Sequence, residues 1–231
     1  MSRPRAATGR SGGSGRTGRP PVTSRTEILE AARLLIDRDG WEKLSIRRLA
    51  AELGIGATTL YHHFGDKEEL LIQLLNHHIV QMERPELPQE PRERIVVAAL
   101  AMHDMLIGWP WAAEAVSVDG FVALLDESAL WFVEEIVAGA DAYGCTPEQS
   151  VQLFRSVWYY TIGEVLVRTR TARRWEGRER PTFRDPLDTA RIPQLAALSG
   201  NWGAFAAVDH YPQGLRVFVD ALLAASSASA S

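Results

Sequence analysis

The sequence predicts an all-α protein, with a three-helix helix-turn-helix domain at its N-terminal end and a second, larger helical domain behind it. Three observations carry that prediction. Apolar residues recur at three- and four-residue spacing beyond the first two dozen residues, and no alternating run competes as a strand. Helix-start signatures stand at Ser24 with Glu27 and at Thr146-Pro147 with Gln149. Two short helical segments flank Gly54, the arrangement of a helix-turn-helix.

Residues 1–23 are Gly, Ser, Arg and Pro with almost no apolar side chains, so they cannot offset the entropy of ordering and are expected to be a disordered tail. Order is expected from Ser24, which caps a first helix carrying Ile28, Ala31, Ala32 and Leu35 and ending at Gly40. Ser45 opens a short helix with Ile46, Leu49, Ala50 and Leu53 on its apolar stripe, and Gly54 stops it. Residues 57–63 form the next short helix, with Leu60 and Phe64 available for packing. Asp66, with Glu69 three residues on, caps a longer linking helix through Leu70, Leu71, Leu74 and Leu75. The first domain therefore runs over 24–83, and the Pro-rich stretch from Pro85 to Pro91 separates it from a second domain over 91–225. Helices are expected there over 92–107, 111–116, 121–140, 147–173, 192–198 and 213–224, with a charged loop over 175–188.

Charge is unevenly spread. The chain has a net charge of -4, yet Arg3, Arg5, Arg10, Arg16, Arg19 and Arg25 fall in the first 25 residues, which contain no acid. A cationic tail on an acidic body can reach phosphate while the body stays soluble. No apolar run reaches the ~18–20 residues of a membrane span. The basic N-terminus has no apolar segment behind it, so a cytoplasmic protein is expected. Cys145 is the lone cysteine and forms neither an internal disulfide nor a metal pattern. His62-His63 and His77-His78 are adjacent pairs that diverge on a helix, so no metal or other cofactor is expected. Neither a P-loop, a Rossmann glycine pattern nor a nucleophile elbow is present, which argues against an enzyme.

The run from Arg25 to Leu70, and above all Leu60-Tyr61-x-x-Phe64-x-x-Lys67-x-x-Leu70, resembles the TetR family of transcription regulators over about a quarter of the chain. Gly56 and Thr58 depart from that pattern, where a capping Ser and a small Gly or Ala are frequent. A recognition helix lies in the major groove with its first residues nearest the bases. That geometry makes Ala57, Thr58, Thr59 and Tyr61 the candidates for reading base edges, with the Tyr61 ring either facing DNA or packing inward behind its hydroxyl. Arg47 can reach a guanine or a phosphate, and the resemblance favours the base. Arg48, His62, His63 and Lys67 are placed for phosphate.

Gly108-Trp-Pro-Trp111, the Cys145-Thr-Pro-Glu turn and the helix bearing Trp158 are similar in order to the regulatory domain of tetracycline-repressor-like proteins. The resemblance implies a helical ligand-binding and dimerisation domain, a homodimer on a palindromic double-stranded operator, and repression until a small-molecule effector arrives. Met102, His103, Met105, Trp109, Phe121, Trp131, Phe154, Trp158 and Tyr159 are the candidate pocket residues, with Trp111 and Glu164 beside them. Val151, Phe154, Val157, Trp158, Ile162 and Val165 are apolar on more than one side of their helix. Together with Leu215, Phe218, Val219 and Leu222 they could build a four-helix dimer bundle. The alternative is a DNA-binding regulator whose second domain answers to a protein partner, or to nothing.

Overall fold

The computed structural model describes residues 24–118, 120–180, 183 and 187–228, which leaves the Arg-rich segment 1–23 outside the described residues. Among them the regular elements are helices and two short 3₁₀ turns. Helix α1 (Arg25–Asp39) starts where the Ser24 hydroxyl accepts from the Glu27 N–H at 3.2 Å and the Glu27 carboxylate accepts from the Ser24 N–H at 2.7 Å. It stops at Gly40, whose φ of 87° lies in the region side chains avoid. A 3₁₀ turn, Trp41–Lys43, leads to α2 (Ile46–Leu53), which ends on left-handed Gly54, and to α3 (Ala57–His63). Helix α4 (Lys67–Ile79) is capped by the Asp66 carboxylate and buries Leu70, Leu71, Leu74 and Leu75 against α1 and the second domain.

The helices after α4, called the second domain after the sequence expectation, are α5 (Pro91–Gly108), α6 (Pro110–Ala115), α7 (Glu127–Tyr143), α8 (Pro147–Arg174), α9 (Pro193–Leu198), α10 (Trp202–Ala206) and α11 (Tyr211–Ala228). Its tightest seam is α5 against α7. A Cβ placed on Gly139 would stand 2.7 Å from Ile95 Cγ1 and 3.0 Å from the Pro91 carbonyl, so glycine sets the spacing of the two helices. Gly139→Ala is therefore expected to cost about 1–2 kcal/mol through forced separation of α5 and α7. Chemical denaturation of the variant beside the parent measures it.

The structure departs from the sequence expectation at three places. The helix expected over 121–140 is a 3₁₀ turn, Phe121–Leu124, followed by extended Leu125 and Asp126 before α7 begins. The break is held from outside, because the Asp126 N–H donates to Asn76 Oδ1 of α4 at 3.2 Å. Short α10 falls in an Ala- and Gly-rich stretch with no apolar periodicity to announce it. The last helix begins at Tyr211, earlier than expected, because the Tyr211 hydroxyl anchors it to Thr161 Oγ1 of α8 at 2.7 Å.

Docking of α11 onto α8 within one chain also reassigns the apolar residues expected between subunits. Phe154, Val157, Trp158, Val165, Leu215 and Val219 are buried in the chain's own core, and Phe218 rests on the Tyr160 ring at 5.2 Å. The residues left outward include Val151, Tyr159, Gly163 and Val167 on α8 and Val217, Ala221 and Ala224 on α11, so Val151 keeps the outward position expected of it. No described helix is long and apolar enough to cross a membrane.

Candidate nucleic-acid interface and regulatory cleft

The inner faces of α2 and α3 fix the outward direction of their other faces. Ile46, Leu49, Ala50, Leu60 and Phe64 are all buried, so Arg47, Thr58, Thr59, Tyr61 and His62 are turned to solvent along one edge of the domain. Tyr61 is 50% exposed, which resolves the choice left open by the sequence: its ring is not a core aromatic. Ala57 and His63 are half-buried at the ends of α3. Gly56 gives α3 no side-chain cap, and in its first turn the Thr59 N–H donates to the Gly56 carbonyl at 2.9 Å.

Two expected phosphate contacts point elsewhere. The Lys67 ammonium donates to the Trp41 carbonyl at 2.8 Å and stands 4.8 Å from the Trp41 ring centroid, so it ties the start of α4 to the 3₁₀ turn instead of projecting. Burial pulls its pKa down, with Glu42 opposing. The Arg48 guanidinium pairs with Asp39 at 2.5 Å. Asp39 also accepts from Arg38, and Arg38 reaches both oxygens of Glu52 at 3.0 and 3.1 Å. That bonding to Arg38 holds the Asp39 and Glu52 carboxyls below their usual range. Arg47 has no such partner among the described residues. Arg25, counted by the sequence with the cationic tail, instead sits in the first turn of α1 with Cζ 5.2 Å above the Phe64 ring at the end of α3.

Behind this domain, α4 enters the second one through an aromatic joint. His78 is 7% exposed and packs its ring 5.0 Å from Trp109, while the Arg33 guanidinium of α1 contacts its Nε2. Burial, reinforced by the Arg33 charge, pushes the His78 pKa down to about 4.

A half-open cleft of about 640 Å³ lies between α7, α8 and the Phe121–Leu124 turn. Of the expected pocket residues it gathers Phe121, Phe154, Trp158 and Tyr159, with the Phe121 and Trp158 rings 4.4 Å apart. Val133, Val137, Ile162 and Leu166 complete its apolar wall and were not singled out as pocket residues by the sequence. Met102 and Met105 line a separate void of about 30 Å³ that shares Phe121, Phe154 and Trp158 with the cleft. The other three lie outside it. His103 is bonded to Glu164 at 2.9 Å and stacked on Tyr211, Trp109 belongs to the His78 joint, and Trp131 lies beneath Arg84. Which inward positions face open space is decided by how the helices meet.

Residues 28–74 match the model of the bacterial regulatory proteins, tetR family. An HTH-type transcriptional regulator of Saccharopolyspora erythraea is 30% identical over 185 residues, covering 80% of this chain and 77% of that one. The chain belongs to the TetR family. Its likeness to the repressor DrrR1 of Streptomyces coeruleorubidus is 27% over 219 residues, 89% of this chain and 79% of DrrR1. Among solved TetR-like structures, BioQ of Mycobacterium smegmatis superposes with a TM-score of 0.61 at 26% identity, over 87% of this chain and 98% of BioQ. ActR of Streptomyces coelicolor, bound to actinorhodin, shares the fold with a TM-score of 0.70 at 21% identity, over 88% of this chain and 98% of ActR. As a TetR-family member the chain is a DNA-binding transcription regulator.

Proposed function

We propose that the protein is a homodimeric repressor that occupies a palindromic operator and leaves it when a small molecule enters the cleft beside α8. The observation that carries this reading is the exposed edge of Arg47, Thr58, Thr59 and Tyr61 above a buried α2–α3 core, with the neighbouring Arg48 already paired to Asp39. Within 24–83 ten acids face seven bases, so this domain has no bulk attraction for DNA and its affinity rests on a few placed contacts together with the Arg-rich segment before it. Ala57, Thr58, Thr59 and Tyr61 read base edges, Arg47 takes a base or phosphate, and His62 and His63 take phosphate. Arg48 and Lys67 act one step back, holding α2 and α4 in place. The name of DrrR1 as a repressor supports the sign of regulation. No enzymatic step enters this reading.

The outward faces of α8 and α11, with Gly163, Ala221 and Ala224 among their residues, allow two subunits to approach closely as a four-helix bundle. The cleft has the size and apolar lining of a small-molecule site, and its aromatic floor orients flat ligands. Met102 and Met105 lie just beneath that floor and can yield to a larger one.

Selection of bound fragments from the source genome, followed by a small-molecule screen for operator release, tests the whole reading. Val137→Trp, which fills the cleft, is expected to abolish release by any effector found while leaving the operator-contacting edge intact. An effector that works equally well on Val137→Trp places the sensing site elsewhere.

A further inference from the structure

We propose that the C-terminal end of α8 is a strut that positions the DNA-binding domain directly, so that occupancy of the cleft reaches α2 and α3 without passing only through α4. The inference rests on the regulator reading above and concerns residues that this reading leaves without a role.

Helix α8 is one continuous element of 28 residues. Its middle turns supply Trp158, Ile162 and Leu166 to the cleft wall. From Leu166 to Arg173 is about 10 Å along the helix axis. There two arginines leave the second domain's own core. Arg170 takes both oxygens of Glu114 on α6 at 3.0 and 3.2 Å. Arg173 pairs with Glu42 in the 3₁₀ turn that joins α1 to α2, and its Cζ lies 6.0 Å from the Trp41 ring centroid. Lys67 approaches the same ring at 4.8 Å and bonds the Trp41 carbonyl. Trp41 is thus held by one cation from α8 and one from the first turn of α4, at a point immediately before the helix-turn-helix. A shift of α8 by a ligand against Trp158 or Ile162 moves Arg173, and with it the turn from which α2 and α3 are hung.

Arg173 and Glu42 are each about half exposed, so their pairing adds little to global stability. Its effect is on the population of one domain orientation. That separates this role from a merely structural one.

The test is the operator affinity of the full chain carrying Glu42→Arg, Arg173→Glu, or both, titrated by fluorescence anisotropy against the genome-selected fragment, with melting curves alongside. Loss of the strut weakens binding in both single variants, by about fivefold, with melting little changed, and the double exchange recovers parental affinity to within about twofold. Charge alone acts differently: Glu42→Arg adds attraction to DNA and Arg173→Glu removes it, so opposite shifts overturn the strut. Unchanged affinity in both, or no recovery in the double variant, overturns it as well. Failure of the parent to bind any selected fragment removes the regulator reading itself and is a separate outcome. Transmission is read by hydrogen exchange in Val137→Trp, or in Val137→Phe where the larger side chain prevents folding. Altered exchange over 41–53 that disappears when Arg173→Ala is added supports the route through α8. Exchange there that is unaffected by filling the cleft contradicts it.

Discussion

Tyr61→Ala is expected to lower operator affinity by roughly 10- to 100-fold, the range for losing one good base-reading side chain. The change should leave the fold intact. Tyr61 is 50% exposed, and the buried side chains that anchor α3 are Leu60 and Phe64. Tyr61→Phe divides the loss between ring and hydroxyl: a ring packed on a thymine methyl or sugar survives in the Phe variant, and a hydrogen bond to a base edge does not. Arg47→Ala should weaken binding too, and titrations at several salt concentrations reveal which contact it makes. A phosphate contact lowers the slope of log affinity against log salt by about one, whereas a guanine contact also relaxes preference at one position. Lys67→Ala is expected to act by a different route. Its ammonium is bonded to the Trp41 carbonyl, so the variant should loosen the start of α4 and lower affinity with little change in salt slope. Parental affinity in Tyr61→Ala, measured on the selected fragment, would place the reading surface elsewhere on the domain.

Acid should weaken the joint at His78 before it unfolds the rest. His78 is buried between Arg33 and the Trp109 ring, and its pKa is pushed down to about 4. In the unfolded chain the same imidazole takes its proton near the ordinary value of about 6.5. Between those values the unfolded chain binds more protons than the folded one, so stability falls as pH falls through that window. The contribution is fully present above pH ~6.5 and diminishes by about 2 kcal/mol at pH 5, where most of the shift has been expressed. Below pH ~4 both states carry the proton and no further loss accrues. Denaturation midpoints at pH 7 and pH 5 measure it, compared with His78→Leu, which cannot take up the proton. The parent should lose more stability over that interval than the variant. Equal losses would show that His78 is not titrating where its burial places it.

Local chemistry was the part of this fold most legible in the sequence. The capping boxes at Ser24 with Glu27 and at Thr146 with Gln149 need only residues three apart, and both form at the expected places. Gly40 and Gly54 stop their helices for the same local reason, since each adopts a positive φ. Most of the exposed edge of α3 was legible too, because burying Leu60 and Phe64 turns Thr58 and Thr59 outward, whereas the direction of the Tyr61 ring was decided only by the packed domain.

What sequence could not supply was each side chain's partner. Arg48 and Lys67 have the right type and position to meet phosphate, yet Asp39 and the Trp41 carbonyl, brought close only by the packed domain, occupy them. The same holds for the cleft. Helical spacing marks Met102, His103 and Phe154 alike as inward, and only the way α7 and α5 each meet α8 puts Phe154 on an open wall and His103 beside Glu164. The break before α7 is held by a tertiary bond, the Asp126 N–H donating to Asn76 Oδ1, which no local pattern encodes.

The central claim is that α3 reads bases through a short exposed edge, and it is tested most directly by scanning the operator. Each base pair of the selected fragment is substituted in turn, and affinities are measured for the parent and for Tyr61→Ala. The account predicts that the variant loses discrimination at one position in each half-site, the two related by the operator's symmetry, while its preferences elsewhere match the parent's. Uniform weakening at every position, or an unchanged preference profile, would contradict it.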